Sequence, residues 1–394
     1  MSTDSPFFQS KVECPICKTI NEFETVRVGA YVENGRDSDF CPESIEWRFP
    51  KYQSYNPLVF FVATCSNCFY SREFTNKFKE WKGDNNFRTY KLKTTKDKHL
   101  DQLATAGSVI KRIGDAINLS SYPNESAVLK LHLAIFDEKL FDHFSSLDVG
   151  RFYLRIGWVF RSMIQNCSQP VTGLYSMLAD LDAKYSMMKG AVEQSVGSIL
   201  SFDEYILANF NSMNSTDEIN SRLLPFKEKL TEVCSRISDK LTSAQNNFEE
   251  LDKLLQECHN ASIDDQHPGQ ASQFLNYPSF KHFLSELKND WDGIVVNEYE
   301  ALINARNYYR AAFNDGRSIA PGNQQIQATY LIAELSHRVG DHETAKEYFN
   351  STIKTGQEYI YRNRSDKTKT ALAKKILELA IERGKSNMNA LKTN

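Results

Sequence analysis

The segment that organises this chain opens with Cys14-Pro15-Ile16-Cys17 and closes with Cys65-Ser66-Asn67-Cys68. Each C-x-x-C pair offers two sulfurs at a spacing that suits tetrahedral zinc, whose Zn–S bonds are about 2.3 Å long. Cys14, Cys17, Cys65 and Cys68 are therefore the predicted ligands of one structural Zn²⁺ ion. Because the chain between the pairs is longer than in a compact zinc ribbon, we expect it to form structure of its own.

The same two pairs have an alternative interpretation as redox-active C-x-x-C motifs. A thioredoxin-type pair lies at the N-terminus of a helix that follows a buried strand, and two pairs in one segment favour metal binding instead. The other cysteines are scattered through the chain at Cys41, Cys167, Cys234 and Cys258. This distribution is unlike the disulfide framework of a small secreted domain, so it predicts a reducing, cytoplasmic environment.

The overall composition is that of an ordinary globular protein. Of the 394 residues, 41% are hydrophobic and 25% are charged, and the formal net charge is −3. This charge gives no general attraction to nucleic acid or to anionic membranes. No apolar run approaches the ~20 residues that span a bilayer, and the first residues lack the features of a secretory signal. We therefore expect no membrane association.

Short β elements are predicted around the two cysteine pairs. Phe23, Val26 and Val28 alternate as the residues of a strand do, and Asn34-Gly35 indicates a turn. The apolar, β-rich run Leu58–Val62 leads directly into the second pair. The N-terminal module is therefore predicted to be small, β-rich and held together by zinc.

Two acidic residues and one cysteine in this module are further candidates for chemistry. Asp37 and Asp39 suit a second ligand pair or an acid/base pair, although an Asx-type turn is the commoner use of such a segment. Cys41 is either a substitute ligand or a free structural cysteine. The chain has no Walker loop, dinucleotide-binding glycine pattern, H-E-x-x-H motif or nucleophile elbow. Since four thiolates also leave zinc no open position, we expect no enzymatic activity.

A basic segment with interleaved aromatic residues follows at 77–98. Its rings belong to Phe78, Trp81, Phe87 and Tyr90. Its cations are Lys77, Lys79, Lys82, Arg88, Lys91, Lys93, Lys96 and Lys98. Cations for phosphates and rings for base stacking are what a single-stranded nucleic-acid surface needs. The alternative, which the acidic overall charge favours, is a linker or hairpin whose aromatic side chains pack on the zinc module.

The pattern becomes helical from Leu100 onward. Apolar residues recur at helical spacing from Leu103 to Ile117, and Tyr122-Pro123-Asn124 interrupts the run. A second helix is predicted over Val128–Leu140 and a third over Phe152–Met163. The short links between them favour antiparallel neighbours.

The middle of the chain carries two long apolar stripes. One runs from Leu181 through Tyr185 to Phe210, and after the polar break 211–216 the other runs from Leu223 to Cys258. The second stripe follows heptad spacing with one extra four-residue step at Ile237–Leu241. Two such helices predict an antiparallel coiled-coil hairpin, whose arm would be roughly 60 Å long. A compact bundle is the alternative.

The C-terminal part is predicted to be helical as well. A long amphipathic helix is expected from Trp291 to Phe313, and Gln325–Lys354 has the helix-turn-helix form of a tetratricopeptide repeat. Gly340-Asp341 lies in the turn and Phe349 is expected to pack between the helices. The tail from Tyr361 is predicted to be a basic helix.

Several of these segments resemble an uncharacterised bacterial family, domain of unknown function 2225. The resemblance rests on Cys14–Cys17, Asp37-Ser38-Asp39, Asn56-Pro57, Cys65–Cys68 with Tyr70, Tyr153–Arg161, Tyr330–Leu335 and Arg338-Val339-Gly340. Lys18 and Phe69 replace the glycine that usually follows each cysteine pair in this family. The resemblance implies a zinc-ribbon-like module followed by tetratricopeptide-like helices, and it implies no activity.

The predicted fold is therefore mainly α, with four parts. Residues 1–98 form the β-rich zinc module and its basic linker, and residues 99–180 begin a tetratricopeptide-like helical domain. Residues 181–258 insert the coiled-coil hairpin, and residues 273–394 complete the helical domain. We expect a non-enzymatic scaffold that binds protein partners through its helical surfaces. A nucleic-acid-binding protein that uses segment 77–98 is the alternative, and a metal-dependent hydrolase is the second alternative.

Overall fold

A computed structural model of the chain describes residues 5–165, 169–212, 217–261 and 274–393. Within these residues, eleven α-helices follow six short β-strands. The chain divides into two units, one made of residues 1–172 and 265–394 and the other of residues 173–264. A mainly helical protein with a small N-terminal β region was predicted, and this is confirmed. None of the described helices has the length and apolarity needed to cross a lipid bilayer.

In the described chain, the six strands all precede the eleven α-helices. The strands are β1 (Phe7–Glu13), β2 (Ile20–Val26), β3 (Tyr31–Asn34), β4 (Ser44–Trp47), β5 (Val62–Thr64) and β6 (Ser71–Glu73). The helices are α1 (Leu92–Ala104), α2 (Val109–Ala116), α3 (Pro123–Lys139), α4 (Ser146–Gln165), α5 (Gln169–Ser212), α6 (Asp217–Ala261), α7 (Phe280–Asp290), α8 (Glu298–Asn314), α9 (Asn323–Arg338), α10 (His342–Arg362) and α11 (Lys367–Thr393). Short 3₁₀ turns (Pro50–Tyr52 and Pro57–Phe60) and π-helical turns (Phe74–Phe78 and Phe87–Lys91) lie between β4 and α1.

The strands form three separate antiparallel hairpins, each of two strands. In the first, β1 pairs with β2 so that Phe7 lies opposite Val26. In the third, β5 pairs with β6 so that Val62 lies opposite Glu73. Each cysteine pair forms the connection of one of these two hairpins, while β3 and β4 form the hairpin between them.

The aromatic residues of segment 77–98 pack mainly against the zinc module. Phe78, Trp81 and Phe87 are buried in one apolar cluster with the cysteines, whereas Tyr90 is 78% exposed. The indole N–H of Trp81 also donates to the carbonyl oxygen of Glu13 at 2.8 Å. The predicted packing of the aromatic side chains on the module is therefore confirmed for three of the four rings, which are not available for base stacking. The prediction of a linker or hairpin is wrong, because Phe87–Lys91 is a π-helical turn and α1 begins at Leu92.

The apolar run Leu58–Val62 was predicted to be β-rich, and this is wrong for most of its length. Pro57–Phe60 is a 3₁₀ turn, and strand β5 begins only at Val62. The turn starts here because the Asn56 side chain accepts a hydrogen bond from the amide of Leu58 at 3.0 Å. Proline at the first helical position also suits this geometry.

The helical run from Leu103 to Ile117 is interrupted in the structure. Helix α1 ends at Ala104 and α2 begins at Val109. The Ser108 hydroxyl caps α2 by accepting the amide of Lys111 at 3.3 Å. The apolar spacing continued across this break, so periodicity alone concealed it.

The long helix predicted from Trp291 to Phe313 is also wrong at its start. Helix α7 ends at Asp290, and α8 begins at Glu298. The Asn297 side chain caps α8 by accepting the amide of Glu300 at 2.8 Å. The segment between the two helices is a connection that runs through the core, where Ile294 and Val295 are buried.

The helix-turn-helix predicted over Gln325–Lys354 is confirmed as α9 and α10. Gly340 has φ of +81° in the turn, and the Asp341 side chain caps α10 by accepting the amide of Thr344 at 3.2 Å. Ala345 and Phe349 are buried where the two helices meet. The basic helix predicted from Tyr361 begins later, because α10 continues to Arg362 and α11 starts at Lys367. Helix α11 packs against α10 and α9.

The second unit contains the two long helices predicted from the apolar stripes. The hydroxyl of Tyr185 donates to the carbonyl oxygen of Phe248 at 2.9 Å, and the two rings are 5.6 Å apart. The predicted stripes are wrong at five positions that are between 37% and 62% exposed, namely Leu181, Met188, Phe226, Ile237 and Leu251, whereas Tyr185 and Cys234 are buried. Most of the predicted polar break at 211–216 lies outside the described residues.

Candidate metal centre

The two cysteine pairs adopt the same backbone turn. In the first, the amide of Lys18 donates to the carbonyl oxygen of Cys14 at 3.1 Å, and in the second Phe69 does the same to Cys65 at 2.9 Å. Lys18 has φ of +66° and Phe69 has φ of +63°, a conformation that favours glycine. The turns therefore form without glycine, at a cost of about 1–2 kcal/mol each.

The side chains of Lys18 and Phe69 make contacts that glycine would lack. The ring of Phe69 fills the space beside Gly114 of α2, where an added Cβ would lie 2.1 Å from the ring. The ammonium of Lys18 lies 4.3 Å from the centre of the Trp81 ring. Packing at Phe69 and a cation–π contact at Lys18 offset the backbone strain.

The structure brings the four predicted ligands together. The sulfurs of Cys14 and Cys68 are 3.7 Å apart, and those of Cys17 and Cys65 are 3.5 Å apart. All four sulfurs lie within 4.8 Å of one another. A tetrahedron with Zn–S bonds of 2.3 Å has edges of about 3.8 Å, so this donor set fits zinc in both chemistry and size.

The crowded sulfurs polarise one another. Hydrogen bonds from the Cys14 and Cys68 thiols lower the pKa of Cys65, and the same bonds raise the pKa values of Cys14 and Cys68. Without a metal, Cys14 and Cys68 therefore hold their protons more tightly than a free cysteine does. Because zinc binds cysteine as thiolate, metal binding releases these protons.

Asn21 of β2 links the first hairpin to the second cysteine pair. Its side-chain N–H donates to the sulfur of Cys65 at 3.4 Å, and its amide oxygen accepts the backbone N–H of Ser66 at 2.8 Å. Asn21 is 5% exposed, so these bonds are protected from water. The residue therefore orients one ligand while it satisfies the turn that carries it.

A buried histidine and a buried aspartate support the second pair from the helices. His99 of α1 donates from Nε2 to the carbonyl oxygen of Cys68 at 2.8 Å, and its Nδ1 lies 2.7 Å from a carboxylate oxygen of Asp137. The other oxygen of Asp137 accepts the amide of Ser71 at 2.6 Å. Burial opposes protonation, but the adjacent carboxylate raises the pKa of His99. No motif in the sequence around His99 and Asp137 predicts that they support the second cysteine pair.

Asp37 and Asp39 lie in a second cluster, apart from the sulfurs. Both carboxylates accept backbone amides, from Ser38 at 2.6 Å and from Cys41 at 3.2 Å respectively, so the predicted Asx-type turn is confirmed. Both also bind the guanidinium of Arg161, at 2.9 Å for Asp37 and 2.8 Å for Asp39. Asp39 is fully buried, and the two-pronged arginine contact supplies its counter-charge.

The cluster is completed by residues from α8 and α9. Glu298 accepts a hydrogen bond from Arg161 at 2.8 Å, and Arg338 binds the carboxylate of Asp37. Burial would raise the pKa of Asp37, but Arg338 and the other neighbouring donors lower it. The carboxylates are thus occupied by arginines, which supports a structural role rather than a second metal site.

Cys41 lies outside the group of four sulfurs. It is 5% exposed, and burial raises the pKa of its thiol to about 12. The thiol is therefore protonated and unreactive at neutral pH. The interpretation as a free structural cysteine is confirmed, and Cys234 is likewise free and buried.

The chain matches the model of one protein family, described as an uncharacterized protein conserved in bacteria (DUF2225), over residues 7–193 and 283–375. The resemblance predicted from the sequence motifs is therefore confirmed. The matched ranges include the four clustered cysteines as well as Asp37, Asp39, Arg161 and Arg338. Neither the curated proteins nor the solved structures contain a match.

Proposed function

We propose a function for this chain, which belongs to the uncharacterized bacterial family DUF2225. The protein is a non-enzymatic scaffold. Its zinc module stabilises a tetratricopeptide-like helical domain, into which an antiparallel coiled-coil hairpin is inserted. The scaffold binds protein partners through its helical surfaces. The proposal also includes the tetratricopeptide-like and coiled-coil description of the helices, zinc as the bound metal, and a cytoplasmic location.

The observation that carries the proposal is the exposed apolar surface of α5 and α6. Half of the large apolar side chains that are exposed in the described chain lie on these two helices. They are Leu181, Met187, Met188, Leu200, Phe202, Tyr205, Leu224, Phe226, Ile237, Leu251 and Leu254. Concentrated apolar exposure of this kind marks interaction surfaces in folded proteins.

The two helices are long enough to present this surface over a large distance. Helix α5 has 44 residues and α6 has 45, so each is roughly 66 Å long if straight. Tyr185 and Cys234 are buried, whereas many positions of the apolar stripes remain accessible. Accessible stripes at helical spacing suit a partner that adds an amphipathic helix.

A groove between α10 and α11 supports the same function independently. It has a volume of about 380 Å³ and combines apolar and basic side chains. The apolar members include Phe349, Ile353, Ile381 and Met388, and the lysines are Lys346, Lys385 and Lys392. Since no carboxylate lines the groove, its charge suits an acidic segment with apolar residues.

The geometry of the sulfurs supports a structural role for the metal. Four thiolates occupy all the positions of tetrahedral zinc, while a catalytic zinc keeps one position for water or substrate. The hydrolase alternative therefore has no observation in its favour. The nucleic-acid alternative is weakened by the burial of Phe78, Trp81 and Phe87.

The test uses the full chain as bait, identifies captured proteins by mass spectrometry, and measures the affinity of each purified candidate. We expect Leu200→Glu combined with Phe202→Glu to weaken a true partner at least tenfold, because charges replace apolar contacts. The matched control is Ile20→Glu combined with Val28→Glu, which alters two exposed apolar residues outside α5 and α6.

Deletion of residues 181–258 separates the two helical surfaces. A partner lost on deletion binds the long helices, and one that is retained but weakened by Lys385→Glu binds the α10–α11 groove. A partner that is unaffected by all of these changes contradicts the proposal. Salt-sensitive binding of single-stranded RNA, lost on Lys-to-Glu changes within 77–98, would instead support the nucleic-acid alternative.

A further inference from the structure

A cavity lies beside the metal centre, between the first hairpin, β5, α2 and α3. Its volume is about 540 Å³, which is within the range of small-molecule sites. The wall is mixed: Phe60, Phe69 and Phe74 contribute rings to it, and Glu22, Glu24 and Lys130 are its charged members. Apolar surface together with polar groups that converge on one space is typical of a ligand pocket.

Lys130 is the unusual member of this wall. Its side chain is 9% exposed, and its ammonium donates a hydrogen bond to the carbonyl oxygen of Val59. In the described part of the chain, no carboxylate lies within ion-pair distance of it. Burial lowers the pKa of Lys130 to about 8, yet most molecules still carry the charge at neutral pH. A buried ammonium with two N–H groups to spare is expensive unless something binds it.

Two carboxylates lie on the exposed side of the same cavity. Glu22 already pairs with Lys11 at 2.9 Å. Glu24 has no ion pair within the described residues, and its charge is the one that raises the pKa of Lys130 against the effect of burial. The cavity therefore offers one buried cation, one exposed carboxylate without an ion pair, and aromatic side chains in the same lining.

We infer that this cavity binds a small zwitterion that carries a carboxylate, an ammonium group and an apolar body. The carboxylate of the ligand pairs with Lys130, its ammonium pairs with Glu24, and its apolar body packs against Phe60, Phe69 and Phe74. Apolar amino acids and short peptides share this chemistry. A simple anion fits less well, because the carboxylate of Glu24 repels it.

This inference is independent of the proposed scaffold function. It rests on a cavity in the zinc module and its adjoining helices, whereas the scaffold function rests on α5, α6 and the α10–α11 groove. Failure of either one leaves the other intact.

The direct test is calorimetric titration of the full zinc-loaded chain with four compounds. L-phenylalanine and the dipeptide Phe-Phe carry both charges, octanoate carries the carboxylate alone, and phenethylamine carries the ammonium alone. We expect at least one zwitterion to bind at least tenfold more tightly than either singly charged compound. Preference for phenylalanine identifies a free amino acid as the ligand class, and preference for Phe-Phe identifies a peptide.

Two substitutions locate the binding. We expect Lys130→Met and Glu24→Gln each to weaken the bound zwitterion at least tenfold, and Lys130→Met to affect octanoate more than phenethylamine. Lys111→Met is the matched control, because Lys111 is exposed on α2 and does not line the cavity. Zinc content and melting temperature show whether each variant is folded. Because Glu24 is exposed, its variant keeps the test valid if Lys130→Met fails to fold.

Two results would overturn the inference. One is the absence of binding by both zwitterions up to about 10 mM, which is weaker than a specific site for such a ligand would bind. The other is binding that Lys130→Met and Glu24→Gln, both folded, leave unchanged.

Discussion

The two cysteine pairs share one backbone turn but differ in what surrounds them. The second pair is fastened to the helices, because Phe69 packs against Gly114 of α2 and His99 of α1 holds the carbonyl of Cys68. The first pair sits on a hairpin, where Lys18 lies over Trp81. The same local motif is thus rigidly supported on one side and lightly supported on the other.

This difference predicts which of the two hairpins depends more on a bound metal. The second hairpin has helical contacts that do not depend on a metal, including the bond from Ser71 to Asp137. The first hairpin packs on its neighbours through ring contacts of Phe7 with Phe60 and of Phe23 with Phe74, and it reaches the second hairpin through Asn21 and the shared sulfur cluster. Because these contacts include no buried polar bond to a helix like that of Ser71, we expect a bound metal to hold the first hairpin in place more than it holds the second.

The largest expected effect follows from removing a ligand on either side. Cys17→Ser and Cys65→Ser should each abolish zinc binding, which contributes about 10–16 kcal/mol to the folding of small zinc domains. In both variants, we expect proteases to cleave within 7–26 well before they cleave within 62–73. Zinc per chain and limited proteolysis with mass spectrometry measure this.

Cys41→Ser is the control for these variants, because Cys41 is a buried cysteine outside the cluster. It should retain a full equivalent of zinc. Equal cleavage rates in the two hairpins after zinc loss would contradict the expectation that the first hairpin depends more on the metal.

The next largest effect concerns the support of the second pair. Asp137→Asn leaves the buried His99 without its carboxylate, and loss of one member of a buried charged pair costs about 3–5 kcal/mol. Urea unfolding of the zinc-loaded protein measures the change. Asp142→Asn, which removes an exposed carboxylate nearby, should leave stability close to that of the parent protein. A cost for Asp137→Asn below about 1 kcal/mol would show that the pair gives little support.

Glycine substitutions test the two turns directly. Phe69→Gly relieves backbone strain but removes a packed ring, so we expect a net loss of about 2–4 kcal/mol. Lys18→Gly relieves the same strain and loses only a surface contact, so its effect should lie within about 1 kcal/mol of zero. Thermal unfolding in excess zinc compares the two variants. Equal effects would mean that the turns are supported alike.

The smallest effect at neutral pH is an acid sensitivity in α3, the helix that carries Asp137. His132 donates to the carbonyl of Val128 at 3.0 Å and accepts the amide of Val295 at 3.1 Å, and burial lowers its pKa to about 4. The unfolded chain takes up this proton near pH 6.5, before the folded protein does. The contribution of neutral His132 to the free energy of unfolding is therefore fully present above about pH 6.5 and is lost as the pH falls toward 4.

The loss amounts to about 1 kcal/mol at about pH 5.5 and reaches at most about 3 kcal/mol. His132→Leu should reduce the slope of unfolding free energy against pH in this window. Measuring both proteins at each pH cancels the effect of acid on zinc binding, which they share. Parallel slopes would assign the acid sensitivity to other groups.

Local signals made part of this structure predictable. The spacing of the cysteines predicted the sulfur cluster because cysteine is rare and paired in this segment. Gly340-Asp341 predicted the turn between α9 and α10 because the residues that form the turn are adjacent in sequence. The helix breaks were missed because each depends on one capping residue, Ser108 or Asn297, within a continuous apolar pattern. Periodicity cannot detect a single cap.

The supports of the site were not predictable for a different reason. His99 and Asp137 are ordinary polar residues in their own helices, and Asp39 meets Arg161 across 122 residues of chain. Such pairs are specified by how the helices pack. No pattern along the chain shows them, because either partner alone would be consistent with exposure to solvent.

The arginine cluster also sets the order in which the protein can be completed during translation. Asp39 emerges from the ribosome early, but its counter-charge Arg161 follows 122 residues later, and Ser38 meets Glu334 only after a further long stretch of synthesis. A carboxylate cannot be buried before its partner exists. We therefore expect the loop at 37–41 to stay hydrated on the nascent chain until Arg161 has been made, and its contacts with Glu334 and Arg338 to form only once α9 exists.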